Sequence, residues 1–201
     1  MRVRATAAVA VVLLAALTAC GSGEAVGKPP AVEAPSEQST PGTVEKTLKF
    51  GEPAQTVGAG GTGRLEVTPD TVVFVKEASG ETSENGVFVV VTMKDRAVTA
   101  VAADESAPAA GGGWKWLTAD GEMVDSGGGN AFNIVIGKYN NAGPVQPGSF
   151  QWRLKAFDLT EKQARVGTLV YVDGEGKVHR WQMPSTDSGP NVAEVKKQLE
   201  F

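Results

Sequence analysis

The chain has 201 residues, 19 basic against 23 acidic, a formal net charge of −4, one cysteine and one histidine. That balance supplies no basic footprint for nucleic acid, and a single cysteine excludes an intramolecular disulfide framework. Any histidine-dependent metal site or catalytic triad would have to use His179.

Met1 to Arg4 carries two arginines, and residues 5–17 then run uncharged through Val9, Val11, Val12, Leu13, Leu14 and Leu17. A membrane-spanning helix needs roughly 20 apolar residues. The run is shorter than that and reads as the apolar region of a signal peptide over residues 1–19. Leu17-Thr-Ala-Cys20 resembles a lipobox, which implies cleavage before Cys20 and a diacylglycerol thioether on its thiol. The same assignment accounts for a lone cysteine in a secreted chain. It places the protein on the extracytoplasmic face of a cell membrane, held by the lipid on Cys20. Without Arg2 and Arg4 the mature chain carries 17 basic against 23 acidic residues, a formal charge of −6. Only Glu24, Lys28 and Glu33 are charged just after Cys20. Anchoring therefore falls to the acyl chains, each buried methylene contributing about 0.8 kcal/mol.

Residues 20–45 are dominated by Gly, Pro, Ala, Ser, Thr, Glu and Gln, with Pro29, Pro30, Pro35 and Pro41 and no aromatic residue. Such a segment cannot bury enough apolar surface to offset its ordering entropy and reads as a disordered tether. Fully extended it would reach roughly 80 to 90 Å.

Residues 46–184 change to short β-branched and aromatic runs punctuated by Gly, Asp, Asn and Pro, the pattern of an all-β domain. Strands are predicted over 64–68, 71–75, 87–93, 97–102, 114–118, 131–136, 150–156, 168–172 and 177–183. The 87–93 run, Val-Phe-Val-Val-Val-Thr-Met, is almost continuously apolar and predicts a central strand covered on both sides or near a sheet's middle. In 150–156, Phe150, Trp152, Leu154 and Ala156 alternate with Gln151, Arg153 and Lys155, which predicts one buried and one wet face. Asp120-Gly121 and Asp173-Gly-Glu-Gly176 are hairpin signals. Many short strands without alternating helices predict an antiparallel β-sandwich. In the tail, residues 185–201, Asn191 and Glu194 have the spacing of a capping box. Val192, Val195 and Leu199 then share one face of a short C-terminal helix.

Few motifs carry chemistry. Gly58-Ala-Gly-Gly-Thr-Gly63 has the letters of a dinucleotide loop but precedes a strand where that motif needs a helix. His179 lies on a strand beside a hairpin. No Gly-x-Ser-x-Gly or Ser-x-x-Lys occurs. Asp120, Glu122 and Asp125 lack EF-hand spacing and read as turn residues. No cofactor is expected. The polar stretch 137–148 is the candidate recognition loop, with Tyr139, Asn140 and Asn141 at its centre. Trp114, following Gly111-Gly-Gly113, is a candidate aromatic contact.

The chain resembles the actinobacterial surface lipoproteins of unassigned function that carry one immunoglobulin-like domain, related to the secreted mycobacterial immunoprotective antigens. The resemblance rests on the lipobox and tether, Gly86-Val-Phe-Val-Val-Val91 and Trp116-Leu-Thr-Ala-Asp-Gly121. It continues through Pro147-Gly148, Phe150-Gln-Trp152, Phe157-Asp158, Leu169-Val-Tyr171 and Trp181. It implies an immunoglobulin-like fold and brings no catalytic residue or cofactor. The expectation is a non-enzymatic binding or scaffolding module with an envelope protein or glycan as partner. The alternative is a carbohydrate-binding accessory or enzyme with a site near Trp114 and Tyr139.

Overall fold

The computed structural model describes residues 46–200, so the signal peptide, Cys20 and the tether lie outside the described residues. The chain forms β1 (Leu48–Lys49), β2 (Ala54–Val57), β3 (Arg64–Val75), β4 (Glu77–Ala78), β5 (Glu81–Thr82) and β6 (Val87–Ala97). There follow β7 (Gly113–Thr118), β8 (Met123–Asp125), β9 (Phe150–Leu159), α1 (Glu161–Arg165), β10 (Gly167–Val172), β11 (Val178–Gln182) and α2 (Val192–Leu199). Two open sheets result, in the orders β1-β11-β10-β7-β8 and β2-β3-β6-β9, beside the small β4-β5 hairpin. All pairings are antiparallel except β1 with β11.

The sheets face one another across a core of Leu65, Val67, Val89, Val91, Met93, Phe157 and Leu159 from one side and Trp114, Trp116, Leu169, Tyr171 and Trp181 from the other. The outer face of the four-stranded sheet is also covered. Val73, Phe88, Val90 and Ala156 pack there against Ala131, Ile134, Ile136 and Tyr139, and against Val195 and Leu199 of α2. β6 thus lies between two cores, and all of Val87 to Met93 is buried, as its continuous apolar run predicts.

The two predicted strands at 64–68 and 71–75 are one. Pairing with β6 continues through a bulge between Pro69 and Thr71, where a proline without an amide is tolerated. Asp70 turns out of the ladder and accepts from Thr92 Oγ1 at 2.6 Å and Asn191 Nδ2 at 2.8 Å. Asn191 therefore serves as an inter-segment tie, makes no side-chain cap to α2, and the expected capping box is absent. The helix itself forms, and Val195 and Leu199 seat it on the sheet. Ser188 exchanges two backbone hydrogen bonds of 2.9 Å with Val72, so the tail is built into the domain and the boundary at 184 is not a structural one.

Three other expectations change. Residues 97–102 are not a strand: β6 ends at Ala97, and Val98 and Val101 are exposed. Residues 131–136 are not a strand either. Gly129–Asn133 is a 3-10 helix, placing Ala131, Ile134 and Ile136 inward while Phe132 is 79% exposed. In β9 the predicted wet face is the one turned to the inter-sheet core, because Arg153 pairs with Met93 and Lys155 with Val91 in register. Phe150 is exposed and Trp152 only half-buried.

Local chemistry fixes the connections. Gly176 adopts φ +78° and its amide bonds Asp173 O at 3.0 Å, closing the β10-β11 hairpin. Gly167 is needed for close approach: a Cβ there would lie 2.1 Å from the Trp116 ring. Trp116 Nε1–H donates to Gln163 O at 3.0 Å in α1, and Thr160 with Gln163 forms a complete capping box. The seating of α2 is testable by denaturant titration of Leu199→Ala. A loss of about 2 to 5 kcal/mol is expected for emptying a buried leucine site; no measurable loss would mean the helix is not part of the second core.

Candidate functional site

The sequence candidates fall in two places separated by the four-stranded sheet. Trp114 is only 2% exposed. It stacks on Tyr171 at 4.6 Å between ring centroids and on Trp181 at 5.7 Å, inside the inter-sheet core. Tyr139 is buried in the second core, edge-on to Trp152 at 5.9 Å. Asn140 and Asn141 are exposed. The Asn141 amide group nevertheless donates to Lys138 O at 2.9 Å and Trp152 O at 2.8 Å, and Asn140 bridges Arg153 in antiparallel fashion. Their task is to cover part of the free edge of β9. Trp114 and Tyr139 therefore do not line one cleft, which removes the geometric basis for a shared carbohydrate or catalytic site there.

Around Trp114 lies a charged cluster that sequence patterning misses. Trp114 Nε1–H donates to Glu105 Oε1 at 2.8 Å, and Lys155 Nζ donates to Glu105 Oε2 at 2.6 Å. Arg153, 5% exposed in its side chain, sits 3.1 Å from Asp95 Oδ2, 3.2 Å from Asp104 Oδ1 and 3.5 Å from Glu105 Oε2. The next amide, Ser106 N–H, donates to Tyr171 Oη at 2.7 Å. Residues 103–106 are thus tied to β7, β9 and β10. Burial opposes ionisation of Glu105, but Lys155 and Arg153 outweigh it and hold its carboxyl below the usual range. Burial, reinforced by nearby carboxylates, pushes the Tyr171 hydroxyl upward.

A second buried polar unit closes the β10-β11 end. Asp173 accepts from His179 Nε2 at 3.0 Å, Val57 N at 3.0 Å, Glu175 N at 3.0 Å and Lys177 N at 2.9 Å. Its burial raises the cost of charge, yet the Val57 amide, His179 and the two turn amides together lower its pKa. His179 is therefore a buried structural partner. Of the acidic turn, Asp120 accepts from Thr118 Oγ1 and Asp125 pairs with Lys115. No cluster of three or more potential metal-ligating His, Cys, Asp or Glu side chains occurs among the described residues.

On the surface, a groove of about 660 Å³ runs beside α1, lined by Phe74, Val87, Ala164 and Val166 together with Glu161, Arg165, Ser185 and Thr186. Val166 is 65% exposed. Concave apolar surface of this kind is where ligands and partners are taken up. The helix that forms it escapes hydrophobic periodicity because it has five residues, although Thr160-x-x-Gln163 carries its capping signature.

No protein-family model and no curated protein matches the chain. Among solved structures, the crystal structure of the yjhA protein from Bacillus subtilis is similar with a TM-score of 0.50 and 10% identity. The likeness spans 68% of this chain and 99% of that one. At that identity it speaks for the fold alone, since unrelated functions share folds.

Asp173 gives a pH prediction. Its carboxyl is depressed in the folded state, so its contribution is present above the ordinary aspartate range and is lost as pH falls through the lowered folded value. Asp173→Ala should cost about 1 to 3 kcal/mol at neutral pH, the range for leaving buried donors unpaired. The deficit should shrink on acidification; a deficit independent of pH would show that the ionised carboxylate is not what the four donors hold.

Proposed function

We propose that the chain is a lipid-anchored extracytoplasmic lipoprotein whose immunoglobulin-like sandwich serves as a non-enzymatic binding or scaffolding module. The observation that carries the reading is Leu17-Thr-Ala-Cys20 at the end of a short apolar run, with Cys20 the only cysteine in the sequence. A diacyl anchor meets the requirement of more than one chain for stable attachment. No helix among the described residues is long and apolar enough to cross a membrane.

The binding reading draws on how the polar side chains are used. Glu105, Arg153, Lys155, Asp173 and His179 are engaged with one another or with backbone. The apolar groove beside α1 remains open for an envelope protein or glycan partner. The immunoglobulin-like assignment draws on two facing open sheets of largely antiparallel strands and on the sequence resemblance.

The anchor is tested in the full chain by Cys20→Ser. The variant should leave the membrane fraction or accumulate unprocessed, while the parent partitions with membranes after labelling by a radiolabelled fatty acid. Retention of the variant in membranes at the parent's mature mass would overturn the assignment.

A further inference from the structure

The cluster beside Trp114 holds more negative charge than its donors can serve. Asp95 on β6 is wholly buried, and neither carboxylate oxygen has a hydrogen-bond partner. Arg153 Nε is 3.1 Å from Asp95 Oδ2 but is also without a hydrogen bond, so the contact is electrostatic and supplies no donor. Arg153 Nη2 donates instead to Gly143 O at 2.5 Å and Gln151 Oε1 at 3.1 Å. Lys155 and Trp114 both donate to Glu105. An ionised buried carboxylate without a donor is expensive. Asp95 Oδ2 and Glu105 Oε2 crowd the same Arg153 guanidinium, at 3.1 Å from Nε and 3.5 Å from Nη1, yet two carboxylates have no proton to place between them. A protonated carboxyl does, through its O–H.

We propose that Asp95 is a carboxylic acid in the folded protein, donating its proton to the Glu105 carboxylate, and that this bond is a pH-sensitive latch holding residues 103–106 across the end of the sandwich. Asp95 is fixed in a strand paired on both sides, with Val67 and Gln151 as its register partners, whereas Glu105 belongs to a connecting segment. When the proton leaves, like charges face each other in a dry site and the connection is the part that can move. The groups facing the pair are Arg153 and Lys155 from β9, Asp104 beside Glu105, Tyr171 from β10 and Trp114 from β7. The neighbour on β3, Val67, is uncharged. The segment bonds directly to Trp114 and Tyr171, whose rings stack on each other and which opening would bring to solvent.

Electrostatics agree with the geometry. Burial, and then the charge of Glu105, drives the Asp95 carboxyl well above the ordinary aspartate range against the opposing pull of Arg153. A raised folded value contributes stability that is full below the unfolded value and is lost as pH rises through the folded one. Beyond that point one proton weakens the closed state by about tenfold per pH unit.

The test uses the full chain, following the Asp95 carboxyl ¹³C resonance and the exchange protection of the Ser106 amide from about pH 4 to about pH 9. Asp95 is expected to titrate well above the exposed carboxylates. Ser106 protection should fall by about tenfold per pH unit past that titration in the parent and by less than about twofold in all in Asp95→Asn, which keeps shape and a donor but cannot ionise. Titration of Asp95 with the exposed carboxylates overturns the proposal even if the variant does not fold. An equal fall of Ser106 protection in parent and variant overturns the latch.

Discussion

Between Val87 and Met93 the chain has no face to give to water. In most antiparallel sheets one side of each strand is solvated and the sequence alternates accordingly, but β6 is buried on both sides and every residue of this run is covered. The rest of the domain answers that requirement. One face is met by the aromatic layer of Trp114, Trp116, Tyr171 and Trp181. The other would be an apolar sheet open to solvent if the 3-10 segment at Gly129–Asn133 and α2 did not cover it. Asp70, Asn191 and Ser188 secure the tail that delivers α2, so the C-terminal residues belong to the core as much as the strands do.

The same packing determines where charge can go. Arg153 and Lys155 project toward the inter-sheet space because strand alternation places them on the face of Phe157 and Leu159. They are tolerated there because Glu105 and Asp104 come to meet them. Removing one partner of such a group is more damaging than the group's net worth suggests, since the remaining charge is stranded away from water. The candidate binding surface is consequently found away from these polar groups, along the apolar groove where α1 leaves Val166 in solvent.

Sequence periodicity is most informative where one physical cause acts locally. The continuous apolar run of β6 and the Asp-Gly turns of both hairpins are legible because burial and backbone conformation are decided by neighbours in the chain. The placement of Arg153 is not, since its partners Asp95 and Glu105 are about 50 residues away and a count of polar positions assigns it to water. Residues 131–136 mislead for a related reason: their β-branched and aromatic content suits a strand, but the glycines before them start a 3-10 helix that caps the second core. Tyr139 and Trp114 read as candidate contact residues because glycine and asparagine surround them, whereas both rings are drawn into cores on opposite sides of one sheet. Asn191 satisfies a capping pattern by letter and spends its side chain on Asp70.

If β6 organises the domain in this way, its amides should open only when everything else does. Native-state hydrogen exchange resolved by residue measures this directly, because regions that open locally exchange with less than the global free energy. Amides of Val87 to Met93 are predicted to exchange solely through global unfolding, with the denaturant dependence of the whole domain. Exchange of these amides through a small local opening, while β10 and β11 stay protected, would contradict the account.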